Sequence, residues 1–250
     1  MCNTEGLVSI IMPAYNASRF IKDSILSVMS QTYSDWELII VNDHSTDDTK
    51  DIVESFSRLD NRIQLLHNQE TSRGAYFARN LGLRNAKGRF ICFLDSDDKW
   101  LPEKLDRQLE IMISEGYSVC HAGYFRITES DTLINSVTVL EKVTYHEQLK
   151  SNRIPNLTGI YDSQKIPIIE QKNIGHEDYN MWLDILKKSP SIGIKEPLAY
   201  YRVVDNSLSS NKFKAARWHY SILRSQKEIG LIRRGFYFFS YVYYALRKRF

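Results

Sequence analysis

The first hundred residues switch repeatedly between two hydrophobic periods, and that alternation leaves few architectures open. Short apolar or β-branched runs fall at 8–12, 37–41, 63–66 and 90–94. Runs this short and this continuously apolar read as buried strands. Between them the apolar residues take helical spacing. Phe20, Ile21, Ile25, Val28 and Met29 form one stripe, with Asn16 or Ser18 placed to cap it. Ile52, Val53, Phe56 and Leu59 form a second behind Ser45 or Thr46, and Tyr76, Phe77, Asn80, Leu81 and Leu83 a third that stops near Gly88. Strand–helix–strand, three times over, predicts an α/β fold with a mostly parallel sheet and right-handed crossovers. Such sheets bind ligands at the carboxyl ends of their strands.

Beyond residue 100 the pattern is less regular. Pro102 suits the first turn of a helix carrying Leu105, Leu109, Met112 and Ile113 on one face. Residues 118–140 look strand-like, 178–188 helical, and 192–204 like short strands and a loop. From Lys212 the chain reads as two helical pieces broken near Gly230 or Gly235. Charge marks the same boundary. Residues 211–250 hold ten Lys/Arg and one Glu, a balance of +9; the chain as a whole carries +3, so the other 210 residues carry −6. Eleven of the thirty aromatics lie in those forty residues. The expected division is a domain over 1–210, with halves at about 1–117 and 118–210, and a basic aromatic tail over 211–250.

Several classes are set aside. No apolar run approaches the roughly 20 residues that span a bilayer. Glu5 stands where a signal peptide carries basic residues, which predicts a chain that is not secreted. Cys2, Cys92 and Cys120 are too scattered for a disulfide framework or a four-cysteine zinc site, as a reducing cytosol would suit. There is no GxGxxG after the first strand, no Walker loop and no nucleophile elbow. The −6 on the body of the chain opposes nucleic-acid binding.

Two of the strands run into acids. The second ends at Asn42-Asp43, and the fourth at Asp95-Ser96-Asp97-Asp98. Carboxylates one residue apart in a turn at the ligand crevice can converge on a hard cation whose remaining positions are filled by substrate phosphates. A calcium loop does not fit, because Lys99 and Trp100 stand where an oxygen ligand and Gly are required.

Taken in order, Val8-Ser-Ile-Ile-Met-Pro-Ala-Tyr-Asn16, Val41-Asn-Asp-His-Ser-Thr-Asp-Asp48, Arg73-Gly-Ala-Tyr-Phe-Ala-Arg-Asn80 and Phe93-Leu-Asp-Ser-Asp-Asp98 resemble the inverting family 2 glycosyltransferases with the GT-A fold. His176-Glu-Asp-Tyr179 extends the resemblance. It implies that Pro13, Ala14, Tyr15 and Asn16 line a nucleotide pocket, with Tyr15 near the base. Asp43 would bind uracil, and Arg73, Gly74 and Arg79 would lie near base or diphosphate. Asp95, followed by Ser96, would reach the ribose, and Asp97, with Asp95 beside it, would hold Mn²⁺ or Mg²⁺ on the diphosphate. Each has a plainer reading: Tyr15 as a surface aromatic, Asp43 as a helix cap, Arg79 as a surface ion pair.

The resemblance also supplies a base. Inverting transfer needs a carboxylate to take the acceptor hydroxyl's proton, and the second acid of the Glu177-Asp178 pair matches it, so Asp178 is the expected base with Glu177 orienting acceptor or helix. The macrodipole alone would also favour both acids at a helix start. Tyr201 to Ser207 resembles the family's loop over the diphosphate. Val204 stands where many members carry His, which leaves His176, Asp205 or water as further metal ligand. Arg202 is a phosphate contact or a structural ion pair. Asn156, Thr158 and His176 are the acceptor-side candidates.

The tail bears on the acceptor. Phe236, Phe239, Val242, Tyr243, Leu246 and Phe250 follow helical spacing, flanked by Arg233, Arg234, Arg247, Lys248 and Arg249. A basic, aromatic amphipathic helix reads as a membrane-surface element, or as a helix that buries its rings on the domain. The combined expectation is transfer of a hexose from a UDP-sugar to an undecaprenyl-diphosphate-linked saccharide, with a β-linkage, at the cytoplasmic face of the inner membrane. Transfer to lipopolysaccharide core and a non-catalytic nucleotide-sugar-binding module are the alternatives.

Overall fold

The computed structural model describes residues 6–204 and 212–247. Its first half follows the alternation closely. β1 (Val8–Ala14), β2 (Trp36–Asn42), β3 (Ile63–His67) and β4 (Phe90–Phe93) are separated by α1 (Ile21–Met29), α2 (Thr49–Leu59) and α3 (Ala75–Asn85). All four strands are mutually parallel in the order β3-β2-β1-β4. Ser9 and every apolar residue of β1 are buried, as a strand covered on both faces requires. Gly82 lets α3 lie close on the sheet: a Cβ there would stand 2.6 Å from the Ile11 side chain. That approach brings the start of α3 to the carboxyl ends of β1 and β2.

The expected caps differ. Neither α1 nor α2 has a side-chain cap at its N-cap residue, Phe20 or Asp48. Asn16 and Ser18 instead tie two loops together. Asn16 Oδ1 accepts from Thr46 N at 2.8 Å, Asn16 N donates to Ser45 Oγ at 3.0 Å, and Ser18 N donates to Asp47 Oδ2 at 3.0 Å. Asp47 also accepts from Thr49, and these hydrogen bonds outweigh its desolvation and hold its carboxyl down at about 2.

The sheet then changes character. β5 (Lys99–Trp100) and α4 (Lys104–Ser114) precede β6 (Val119–Ile127), β7 (Leu133–Val137), β8 (Lys142–Val143), α5 (Tyr145–Lys150) and β9 (Ile160–Asp162). α6 (Glu177–Leu186), β10 (Ser191–Arg202), α7 (Lys212–Ser225) and α8 (Leu231–Arg247) complete the described chain. The ten strands make one sheet, β3-β2-β1-β4-β9-β6-β10-β5, with β7 on β6 and β8 on β10. β9 is antiparallel to both β4 and β6, so the parallel half ends at β4. Residues 191–202 are one long strand rather than short pieces, with register shifts around Pro197 that its missing N–H explains. Ile113, expected on the buried face of α4, is exposed, whereas Leu105, Leu109 and Met112 are buried. Gly230 separates α7 from α8, and Gly235 lies inside α8.

Candidate functional site

The loops after β1, β2 and β4 and the start of α3 enclose a cavity of about 650 Å³. Pro13, Ala14, Tyr15, Asp43, Arg73, Gly74, Arg79, Asp95, Ser96 and Asp97 all line it. These positions come from four segments far apart in sequence, and the parallel sheet gathers them at one edge.

Asp43, at the end of β2, is buried but caps no helix. Its Oδ1 accepts from Asn68 Nδ2 at 2.6 Å and its Oδ2 from Gly74 N at 2.8 Å. Gly74 has φ 123°, a conformation that suits glycine and turns its N–H toward Asp43. The carboxylate is thus fixed at the cavity wall with lone pairs left for a ligand N–H. Asn68 gave no sequence signal beyond its place at the end of β3. Tyr15 is 58% exposed, a ring available for stacking.

Arg79 is not the surface residue of the plainer reading. It is buried, and its Nη2 donates to Asp95 Oδ1 at 2.5 Å, while Nη1 reaches Gln171 Oε1 at 3.4 Å. Burial works against its charge, but Asp95 outweighs that, with Asp178 and Glu177 adding, and its pKa lies above the ordinary value. Gln171 also exchanges two 2.8 Å hydrogen bonds with Asn80 and reaches Met181 Sδ on α6 at 3.8 Å. Nothing in the sequence marked Gln171.

Asp97 and Asp98 sit in a crowded acidic turn. Burial and the Asp95 charge push the Asp97 carboxyl up to about 6. Burial together with Asp97 and Asp95 raises Asp98 well above its usual value, although Arg202 N donates to its Oδ1 at 2.8 Å. Such a turn holds more negative charge than its neighbours balance. Among the described residues no three His, Cys, Asp or Glu groups converge as a closed metal site. Asp95 and Asp97 offer carboxylates of the kind a hard divalent cation takes together with phosphates and water.

Arg202 requires a correction. It does not reach the cavity. Its Nε donates to Asp97 O at 2.9 Å, and its Nη1 donates to Thr128 O and Glu129 O and pairs with Asp131 at 2.8 Å. Its guanidinium also lies 4.5 Å from the Phe20 ring centre. With this much of its fork engaged in a buried position, it holds the acidic turn rather than a phosphate. Asn16, engaged with Thr46, likewise shapes the cavity from outside its lining.

Asp178 and Glu177 are half-buried in the first turn of α6. Asn152 Nδ2 lies 3.5 Å from Asp178 Oδ2. Of the remaining acceptor-side candidates, Thr158 is buried and Asn156 and His176 are half-buried. Thr158 is fully buried, donating to Ala122 O at 2.7 Å and accepting from Ala122 N at 3.2 Å, so its hydroxyl pins β6 and faces no ligand. Asn156 Oδ1 accepts from Trp182 Nε1 at 3.2 Å. His176, at φ 48°, sets its ring edge-on to Trp218 at 5.3 Å. Asp205 and Ser207 lie outside the described residues.

The family model for glycosyl transferase family 2 matches residues 9–166. The chain belongs to glycosyltransferase family 2. A putative teichuronic acid biosynthesis glycosyltransferase, TuaG of Bacillus subtilis (strain 168), is 39% identical over 100% of both chains. The Escherichia coli UDP-Glc:alpha-D-GlcNAc-diphosphoundecaprenol beta-1,3-glucosyltransferase WfgD is 38% identical over 98% of this chain and 95% of its own. The fold is GT-A: the crystal structure of S. aureus TarS 1–349 superposes with a TM-score of 0.73 at 19% identity, covering 94% of this chain and 70% of TarS. The chain is a glycosyltransferase, and among its described residues no helix is long and apolar enough to cross a membrane.

Proposed function

We propose that this glycosyltransferase is an inverting, divalent-metal-dependent enzyme that moves a hexose from a UDP-sugar to an undecaprenyl-diphosphate-linked saccharide, with a β-bond, in bacterial surface-polysaccharide assembly. The observation that carries the reading is the single cavity joining Asp43, Arg73, Arg79 and the Asp95–Asp97 pair, with Asp178 and Glu177 close enough to act on Arg79. Related TarS structures contain UDP-GlcNAc or UDP, and WfgD acts on a diphosphoundecaprenol acceptor. UDP-glucose is accordingly the first donor to test. The division of labour would follow the chain: donor residues within 1–117, acceptor residues within 118–210, and a membrane-facing tail over 211–250 at the cytoplasmic face.

The residues present fit each step. Asp43 accepts a uracil N–H, and Tyr15 covers the base. Asp95 accepts from the ribose, and Arg73 opposes diphosphate charge at the open side of the cavity. Asp97, with Asp95, would hold Mn²⁺ or Mg²⁺, which supplies Lewis-acid neutralisation of the leaving diphosphate. On the other face of the sugar, Asp178 removes the acceptor hydroxyl proton as that oxygen bonds to the anomeric carbon and the bond to UDP breaks. A base so placed contributes about 10²–10⁴-fold. Asn152 and the Glu177 charge keep Asp178 oriented and Arg79 charged.

The test is UDP release from a panel of UDP-sugars with membranes bearing lipid-linked saccharide, with Mn²⁺ or with EDTA. Metal-dependent release from one donor is expected, together with its loss in Asp178→Asn while UDP binding persists. UDP binding without release from any donor would favour a non-catalytic module. Undiminished transfer by Asp178→Asn would move the base elsewhere.

A further inference from the structure

α8 carries two apolar faces, one packed on the domain and one exposed to solvent. On the inner face Tyr237 Oη bonds His146 Nδ1 of α5 at 2.8 Å, Tyr241 stacks on His219 at 3.8 Å, and Arg153 lies 4.0 Å from the Tyr244 ring centre. Tyr237 is buried in a cluster with Leu149, Tyr179, Leu183, Ile222 and Leu223. The outer face presents Ile232, Phe236, Phe239 and Tyr243, which are 91, 59, 75 and 53% exposed. Their spacing of four, three and four residues puts all four on one stripe of the helix. An exposed stripe of this size on a helix already seated by its other side is not explained by folding.

We propose that this outer stripe is a docking surface for an anionic lipid bilayer. The charge argues for that occupant. α8 contains Arg233, Arg234 and Arg247 and no acid, in a forty-residue region of balance +9. At roughly 100° per residue, Arg233 falls beside the stripe. A helix with apolar residues on one line and an arginine at its border lies in the plane of a membrane surface. Of the set read from the sequence, Phe236, Phe239 and Tyr243 lie on this stripe, joined by Ile232, and the membrane contact falls to residues 232, 236, 239 and 243.

The inner contacts make the attachment rigid. α8 holds α5 through His146, and Tyr179 of α6 donates to Gln148 O of α5 at 3.0 Å. α6 carries Asp178, so the bilayer-bound helix and the expected base are joined through packed elements. An acceptor whose lipid is in that bilayer would meet the base at a fixed height. This last step rests on the lipid-linked acceptor proposed above; the docking surface itself does not.

The test is co-sedimentation of the full chain with vesicles of phosphatidylcholine alone, or with one part in three of phosphatidylglycerol. Binding to the anionic vesicles only, weakened about tenfold or more in Phe236→Ser/Phe239→Ser and in Arg233→Glu, is the expected result. Both side-chain sets are exposed, and unchanged UDP binding on the same samples verifies an intact domain. Equal binding by wild type and variants would overturn the proposal. So would absence of vesicle binding with a wild-type dimer that the Phe236→Ser/Phe239→Ser change dissociates, which would assign the stripe to a second copy. Loss of vesicle binding is read independently of glycosyl transfer, so a failed enzyme assay leaves this result standing.

Discussion

Arg79 donates to the Asp95 carboxylate at 2.5 Å from the floor of the cavity, and its other edge reaches Gln171. One guanidinium thus links the proposed ribose ligand to the segment that contacts α6. Arg79→Gln removes a buried cation and leaves Asp95, 38% exposed on its side chain, beside Asp97 without its counter-charge. Charged hydrogen bonds of this kind contribute about 1.5–3 kcal/mol. The expected outcome is a rise in donor KM and a fall in kcat together, about 10²-fold in kcat/KM. Steady-state kinetics with UDP binding by calorimetry checks it; an unchanged donor affinity would detach Arg79 from the donor site. Gln171→Ala should give a smaller loss of the same kind, since it removes the weaker 3.4 Å contact.

Arg202→Lys tests the corrected role of that residue. Lysine keeps the charge but cannot reach Asp97 O, Thr128 O, Glu129 O and Asp131 together, because it lacks the planar fork. The acidic turn should loosen, destabilising the fold by about 1–3 kcal/mol and weakening metal-dependent UDP binding. A direct phosphate role predicts the reverse balance: full stability, with donor affinity reduced. Thermal unfolding alongside UDP titration with and without Mn²⁺ separates the two.

The parallel half of the sheet was readable because each crossover repeats one physical pattern, and ligand-binding loops follow from strand direction alone. The ten cavity residues themselves were named through the resemblance to the family 2 motifs, which fall on and beside those loops. What was not readable depends on contacts between distant segments. β9 is three residues long and exists because β4 and β6 both pair with it. Arg202 looked like a ligand because sequence shows a cation beside a loop, not the four oxygens around it. Thr158 looked available because its burial under β6 is a tertiary fact. Asn68 and Gln171 carry no motif; each matters through one partner that folding brings to it.

Asp97→Asn tests the cation. Burial and Asp95 hold the Asp97 carboxyl at about 6, a strain that a bound divalent ion would relieve. The amide keeps shape and loses the charge. Transfer should fall by about 10²-fold or more, and Mn²⁺ should no longer tighten UDP binding. Equal tightening in variant and wild type would place the ion on other ligands. Because the amide also removes like-charge repulsion, the metal-free variant should be at least as stable as the metal-free wild type.

Acid stability gives a prediction independent of the reaction. His121 is buried at the β6–β10 seam with Nδ1 2.7 Å from Ser191 Oγ, and burial lowers its pKa to about 4. His219, stacked between Tyr179 and Tyr241, is lowered to about 3 by burial and by His176. Between the unfolded value of 6.5 and these folded values, the unfolded chain binds protons that the folded chain refuses, so stability falls as the pH falls. For His121 the loss accumulates to about 3 kcal/mol by pH 4, at about 1.4 per unit. Asp97, raised to about 6, acts with opposite sign, gaining stability as the pH falls from about 6 toward its unfolded value of 3.8. The wild-type slope is therefore a difference, and His121→Gln isolates one part of it. Urea unfolding from pH 7 to pH 4 should show the variant losing less stability than wild type over that window. Parallel curves would mean that His121 takes up its proton equally in both states, and the buried, neutral imidazole at the seam would be wrong.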